Sequence, residues 1–188
     1  MPLVKIIVAS TRPGRVGLPI AEWVHAIARE RSDIEVELVD LREVNLPIHD
    51  EPHHPRLGKY EHEHTRRWSA SVERADGFIF VTPEYNHSFP ASLKNALDFV
   101  FREWAHKPVG IVSYGGVAAG TRSVQALKPV LAALQMIPVL ESVNIPFVAN
   151  LFDADKKLTT DKGLDDAARL MVERLVFWMG HQRPLYRS

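Results

Sequence analysis

The segment Ser10-Thr11-Arg12-Pro13-Gly14-Arg15-Val16-Gly17 places two hydroxyls, two guanidinium groups and two glycines between an apolar run and an amphipathic helix. A strand-to-helix turn of this kind aims free backbone N–H groups and the positive end of the helix dipole at one point. Hydroxyls and forked guanidinium groups add donors, and glycines allow close backbone approach, so the chemistry on offer is the binding of a phosphate. On local sequence alone, a glycine-rich turn with solvated arginines competes with that reading. The segment contains neither G-x-G-x-x-G nor Gly-Lys-Ser/Thr, so neither a dinucleotide fingerprint nor a nucleoside-triphosphate loop is satisfied.

A second segment, Thr82-Pro83-Glu84-Tyr85-Asn86-His87-Ser88-Phe89-Pro90, joins a buried apolar run to another helix through a rigid, polar, aromatic loop. Pro90 fits the first position of that helix, where no N–H is needed. A third, Ser113-Tyr114-Gly115-Gly116 with Gly120 beyond it, follows the next apolar run. Asp40 closes the second run, about where an acidic residue meets a ribose in a dinucleotide fold, although a turn or capping carboxylate is the commoner role there. His87 is the histidine to test as a proton donor, against the simpler role of a hydrogen-bonding loop residue.

His49, His53, His54, His62 and His64 crowd together with Asp50, Glu51, Glu61 and Glu63. Their spacing argues against a metal site: His62 and His64, two apart, would diverge on a helix, and His53-His54 lie between two prolines. The favoured reading is a polar segment that covers the mouth of a site or meets another subunit.

The elements that must position these residues follow from the apolar pattern. β-branched runs at residues 4–9, 34–39, 77–81, 109–113 and 139–143 alternate with helical periodicity, which predicts a parallel sheet covered on both faces. A first helix opens near Gly17-Leu18-Pro19 with Ile20, Val24, Ile27 and Ala28 on one stripe, and the helix after the third run aligns Leu93, Leu97, Val100 and Phe101. Another helix is expected over residues 121–135, with Val124, Leu127, Leu131 and Leu134 inward and a kink or break at Pro129. A last one over 164–179 aligns Ala167, Ala168, Met171, Leu175 and Met179, and residues 150–162 read as loop. Phe99, Phe101 and Trp104 fit either a core or a subunit contact. One five-stranded, doubly wound α/β domain over residues 1–188 is the economical solution, and in a 2-1-3-4-5 sheet the three segments flank one crevice.

With 188 residues, 46% of them hydrophobic, the chain can bury one substantial core. Its 23 basic and 23 acidic residues cancel, so no global field favours nucleic acid or an anionic membrane, and an anion site has to be local. Cysteine is absent, which removes disulfides, thiolate nucleophiles and iron–sulfur clusters and leaves redox chemistry to a bound cofactor. Lys5 interrupts the first apolar run, which reads as a strand and not a signal peptide, and no run is long enough to span a bilayer; a cytoplasmic location is expected.

Taken together, AlaSerThrArgProGlyArgValGly at 9–17, ThrProGluTyrAsnHisSerPhePro at 82–90 and SerTyrGlyGly at 113–116 closely resemble the motifs of the flavodoxin-like NADPH-dependent FMN reductases. The resemblance covers roughly residues 3–143; many members carry Gly where this chain has Ala9 and Ser where it has Arg15. It implies FMN as cofactor, with Ser10, Arg12 and the amides of Val16 and Gly17 on its phosphate; Arg15, where the chain departs from the family, still suits that phosphate as a charge. Pro83, Glu84, Tyr85 and Asn86 would border the isoalloxazine, mainly through backbone N–H groups, with Tyr114, Gly115 and Gly116 along the other side. It further implies ping-pong hydride transfer from NADPH or NADH and a flavin, quinone, azo or metal-oxyanion acceptor, in a homodimer or homotetramer. No catalytic side chain is implied, because flavin chemistry needs stacked rings and a stabilised reduced pyrimidine. Arg15 and Arg122 are the candidates for a 2′-phosphate. An FMN electron carrier or redox sensor is the alternative, disfavoured by the neutral charge; a dehydrogenase with NAD at the first loop leaves residues 82–90 unexplained.

Overall fold

A computed structural model describes the backbone of residues 1–186 and the side chains of residues 1–181. Five parallel strands, β1 (Leu3–Val8), β2 (Glu35–Asp40), β3 (Gly77–Pro83), β4 (Pro108–Tyr114) and β5 (Ile137–Ile145), lie in the order β2-β1-β3-β4-β5. Every residue of β1, β3 and β4 is buried, as inner strands covered on both faces require, whereas β2 and β5 are partly exposed edges.

Side chains alternate between two cores. On one face α1 (Gly17–Ala28) and α6 (Lys162–Tyr186) set Ile20, Val24, Met171 and Leu175 against Val4, Ile6, Ile79 and Val112. The other face carries α3 (Glu63–Arg74), α4 (Ala91–Asp98) and α5 (Thr121–Ala133), which set Trp68, Leu97 and Leu127 against Ile7, Phe78 and Phe80. A single turn, α2 (Leu41–Val44), follows β2.

Several boundaries differ from the sequence expectation for identifiable reasons. β3 runs on to Pro83, because Thr82 and Pro83 still pair with Ser113 and Tyr114, so the connecting loop starts at Glu84. Pro90 is the N-cap of α4 and not its first residue; its carbonyl accepts from the amides of Leu93 and Lys94. α5 passes through Pro129 unbroken, since Pro129 and Gln125 both face water and the unpaired carbonyl can be solvated there. Residues 150–162 include part of a short 3-10 turn, Val148–Leu151, and an isolated bridge between Phe152 and Leu158. Phe99 and Trp104 are core residues, fully buried, while Phe101 is half-buried beneath the Arg56 guanidinium.

The histidine-rich segment straps α3 to this core. Glu51 accepts from the amides of Glu61 (2.9 Å) and His62 (3.0 Å) just before α3, and His49 packs on Phe99. His62 and His64 do not diverge: His62 precedes the helix as its N-cap, so the two rings stack at 5.2 Å and both reach Asp50. His53 pairs with Glu61 at 2.9 Å. Among the described residues no group of three or more His, Asp or Glu is placed to hold a metal ion.

Burial alone would raise the Glu51 pKa, but hydrogen bonds, those two amides among them, outweigh it and bring it from 4.5 down to about 2. A carboxylate depressed in the folded state stabilises the fold above its unfolded pKa and loses that contribution as pH falls toward the folded value. Each pKa unit is worth about 1.4 kcal/mol, and screening near the surface reduces the sum to about 1–2 kcal/mol. Glu51→Gln is therefore expected to be less stable than wild type by that amount at neutral pH, with the gap closing between pH 4.5 and 2. Urea titrations across that range measure it, and a gap independent of pH would contradict the assignment.

Candidate functional site

The loops leaving β1, β3 and β4 meet at the carboxyl edge of the sheet and enclose a cleft of about 160 Å³. Ser10, Arg12, Arg15 and Val16 come from the first loop, Pro83 from the end of β3 with Glu84 and Tyr85 from the loop after it, and Tyr114 from the end of β4 with Gly115 just beyond. All three segments singled out from the sequence thus converge on one site.

At the first loop, Gly14 turns the chain with φ +69°, and the Arg15 amide donates to the Arg12 carbonyl. Val16 caps α1 with no side-chain hydrogen bond and no acidic residue in the first turn, so the positive end of the helix is open toward the cleft. The Ser10 hydroxyl meets the Tyr85 hydroxyl at 2.7 Å, which ties the first loop to the second and narrows the cleft. Thr11 does not join them; it turns to a separate, 290 Å³ hollow lined also by Arg42, Ser92 and Asn95. Arg15 Nη2 forms an ion pair with Asp40 Oδ2. Asp40 also accepts from the Arg42 amide at 3.0 Å, so it is the capping carboxylate of α2.

In the second loop Tyr85 and Ser88 exchange backbone hydrogen bonds of 2.8 and 3.0 Å across Asn86 and His87, both at positive φ (50° and 67°). Two successive residues at positive φ are the signature of a tight type I′ hairpin turn, for which Asn is well suited. His87 is exposed at its tip. The Glu84 carboxylate turns away to the start of α5, accepting from the Arg122 amide and pairing with its guanidinium at 2.8 Å. The Glu84 side chain is thereby directed to Arg122, whose own side chain stays 45% exposed.

The third loop supplies the floor. Tyr114 is 4% exposed, and burial, with Tyr85 nearby, pushes its phenol pKa up against the opposing influence of Ser10, Arg15 and Arg12. It therefore remains a protonated donor. Gly17, expected at the phosphate, lies against the Tyr114 hydroxyl, and Gly116 and Asn86 lie outside the cleft lining. Val148, which no sequence motif flagged, completes the wall because its amide donates to the Gly115 carbonyl at 3.0 Å. The signal for it was weak: it follows β5, whose end reaches the same edge of the sheet.

A parallel sheet of this order with an anion cradle after its first strand defines the flavodoxin-like class. The NADPH-dependent FMN reductase family profile matches residues 2–150, and the chain belongs to that family of oxidoreductases, with FMN as cofactor and NAD(P)H as donor. An NAD(P)H-dependent FMN reductase of Schizosaccharomyces pombe is 41% identical over 149 residues, 77% of this chain and 74% of that one. A 2-hydroxy-1,4-benzoquinone reductase of a Burkholderia species is 31% identical over 140 residues, 71% and 72% of the two chains. In structure, FerB, a flavoenzyme NAD(P)H:(acceptor) oxidoreductase of Paracoccus denitrificans, superposes with a TM-score of 0.78 at 23% identity, covering 97% of this chain and 99% of that one.

The residues present fit a flavin phosphate. Arg15, whose buried Nε has no acceptor among the described residues, lines the cleft together with Arg12, the uncapped start of α1, and Ser10, Tyr85 and Tyr114. A cleft of 160 Å³ is smaller than pockets that swallow a whole drug-sized ligand, about 300 Å³ and upward. It suits the phosphate and chain end of such a ligand, with the ring system along its open rim.

Proposed function

We propose that FMN binds with its phosphate between Ser10, Arg12, Arg15 and the amides of Val16 and Gly17, and its ring between residues 83–86 and 114–116. The observation that carries this reading is the convergence of the loops after β1, β3 and β4 on one cleft. Bound FMN supplies hydride acceptance from NAD(P)H and onward electron transfer. The chain's part is to hold and orient: the open end of α1 and two guanidinium groups neutralise the phosphate, and the backbone of residues 84–86 offers N–H groups to the ring edge. Tyr114 closes the floor against water.

NAD(P)H and the acceptor use the same rim in turn, a ping-pong sequence. Val117 and Phe147, 75% and 54% exposed and adjoining Gly116, give that rim an apolar lip for a planar ring. Acceptors are flavins, quinones, azo compounds or metal oxyanions, and the benzoquinone reductase among the relatives favours quinones. The protein works as a homodimer in the cytoplasm; a monomer by light scattering would remove the dimer. Anaerobic stopped-flow mixing of the flavin-loaded protein with NADPH is expected to bleach the flavin, and initial rates against a quinone to give parallel double-reciprocal lines. Absence of bleaching would make the protein an electron carrier instead, and intersecting lines would exclude the shared rim.

A further inference from the structure

We propose that Asp40 is a positioning residue for the flavin phosphate: it holds the Arg15 guanidinium in place beside the cradle. This rests on the reading that the phosphate lies at residues 10–17. Asp40 is itself fixed twice, by its register opposite Val8 at the end of β1 and by its Oδ1 hydrogen bond to the Arg42 amide. Its other oxygen takes Arg15 Nη2, and the two side chains retain only 9% and 7% exposure.

A guanidinium group has a rigid fork, so fixing one terminal nitrogen fixes the direction of the others. Arg15 lines the cleft while Nη2 is held by Asp40, so the held guanidinium stays at the cradle wall. Arg12 borders the same cleft, so the cradle presents two guanidinium groups to a dianion.

The Asp40 charge also repels a phosphate, and the sign of its effect depends on which influence dominates. Its carboxylate is already neutralised by Arg15, whereas an Arg15 released from it regains the rotamer freedom of a long side chain and can turn to water. Positioning therefore outweighs repulsion, and removing Asp40 weakens the binding of the phosphate alone.

The test measures dissociation constants of FMN and riboflavin by flavin fluorescence quenching, for wild type, Asp40→Asn, Arg15→Ala and the double variant. Asparagine keeps an oxygen for the Arg42 amide, so the α2 cap survives. Arg15→Ala is expected to weaken FMN about twentyfold, as for one lost charge-assisted hydrogen bond, and Asp40→Asn about fivefold. Riboflavin affinity should not move, which a general loss of structure would not allow. The double variant should bind FMN no more weakly than Arg15→Ala. FMN affinity unchanged or tightened by Asp40→Asn, or a further loss in the Arg15→Ala background, overturns the proposal. A wild-type protein that binds riboflavin as tightly as FMN overturns the underlying phosphate site instead.

Discussion

Replacing Gly120 by alanine is expected to cost about 3 kcal/mol of stability and to weaken flavin binding with it. Gly120 is the N-cap of α5 at φ +76°, a conformation that alone costs an alanine about 1–2 kcal/mol. Space is the larger problem. A Cβ there would lie 2.8 Å from the Tyr114 nitrogen, 2.9 Å from its oxygen and 2.9 Å from Ser113 Cβ. Two of these atoms belong to the backbone at the end of β4 and cannot rotate away. The turn has little slack, since Ala119 is already at φ 53° and its carbonyl accepts from the Ser113 hydroxyl at 2.8 Å. The strand end must shift, carrying Tyr114 and Gly115 out of the cleft wall. Gly116→Ala is the control: nothing lies within 4 Å of its added carbon, and its stability should stay within about 0.5 kcal/mol of wild type. Equal unfolding midpoints for the two variants would refute this account of the loop.

The frame of the fold was readable because burial on both faces demands unbroken apolar runs. β1, β3 and β4 are buried at every position and nearly meet that demand, with Lys5, Thr82 and Ser113 as their polar exceptions, and α1 and α6 bury clean stripes. α3 is harder to read, since only Thr65, Trp68 and Val72 of its twelve residues are buried. Much of its attachment comes instead from Glu51, His64 and Asp50, whose pairings depend on where the helix begins. The error over His62 and His64 has that origin: one residue of displacement at the N-cap turns divergence into stacking.

At the site, the backbone logic was legible and the side-chain logic was not. A strand end followed by a glycine-bearing turn and a helix leaves backbone N–H groups open toward an anion, and that much is visible in the sequence. Which way Thr11 or Glu84 points depends on neighbours from elsewhere in the chain, as Glu84 is drawn to the first turn of α5, whereas the capping role of Asp40 was legible. Arg15 was readable as a cation near a phosphate, but its partner on β2 was not.

Gly17 opens α1 beside the cleft, and its nearest neighbour there is Tyr114. Close backbone approach to a phosphate is the obvious use of a glycine at the start of α1, yet the atoms nearest its missing Cβ are those of Tyr114. An added carbon would overlap the Tyr114 hydroxyl, lie 3.3 Å from Cζ and 3.6 Å from Cε1. Gly17→Ala must therefore displace either a buried phenol or the first turn of α1, and both belong to the cradle. Overpacking of this kind costs about 1–3 kcal/mol of stability, and because the strain falls on the cradle FMN affinity is expected to fall by up to about a hundredfold. The overlap is confined to the hydroxyl, and that makes the effect repairable. Tyr114→Phe removes the overlapping oxygen and leaves a tight but tolerable 3.3 Å contact. On its own it should weaken FMN only modestly, by the loss of one donor; combined with Gly17→Ala it should bind FMN more tightly than Gly17→Ala alone. Two losses that simply add would mean that Gly17 serves the phosphate directly and that Tyr114 is incidental to it.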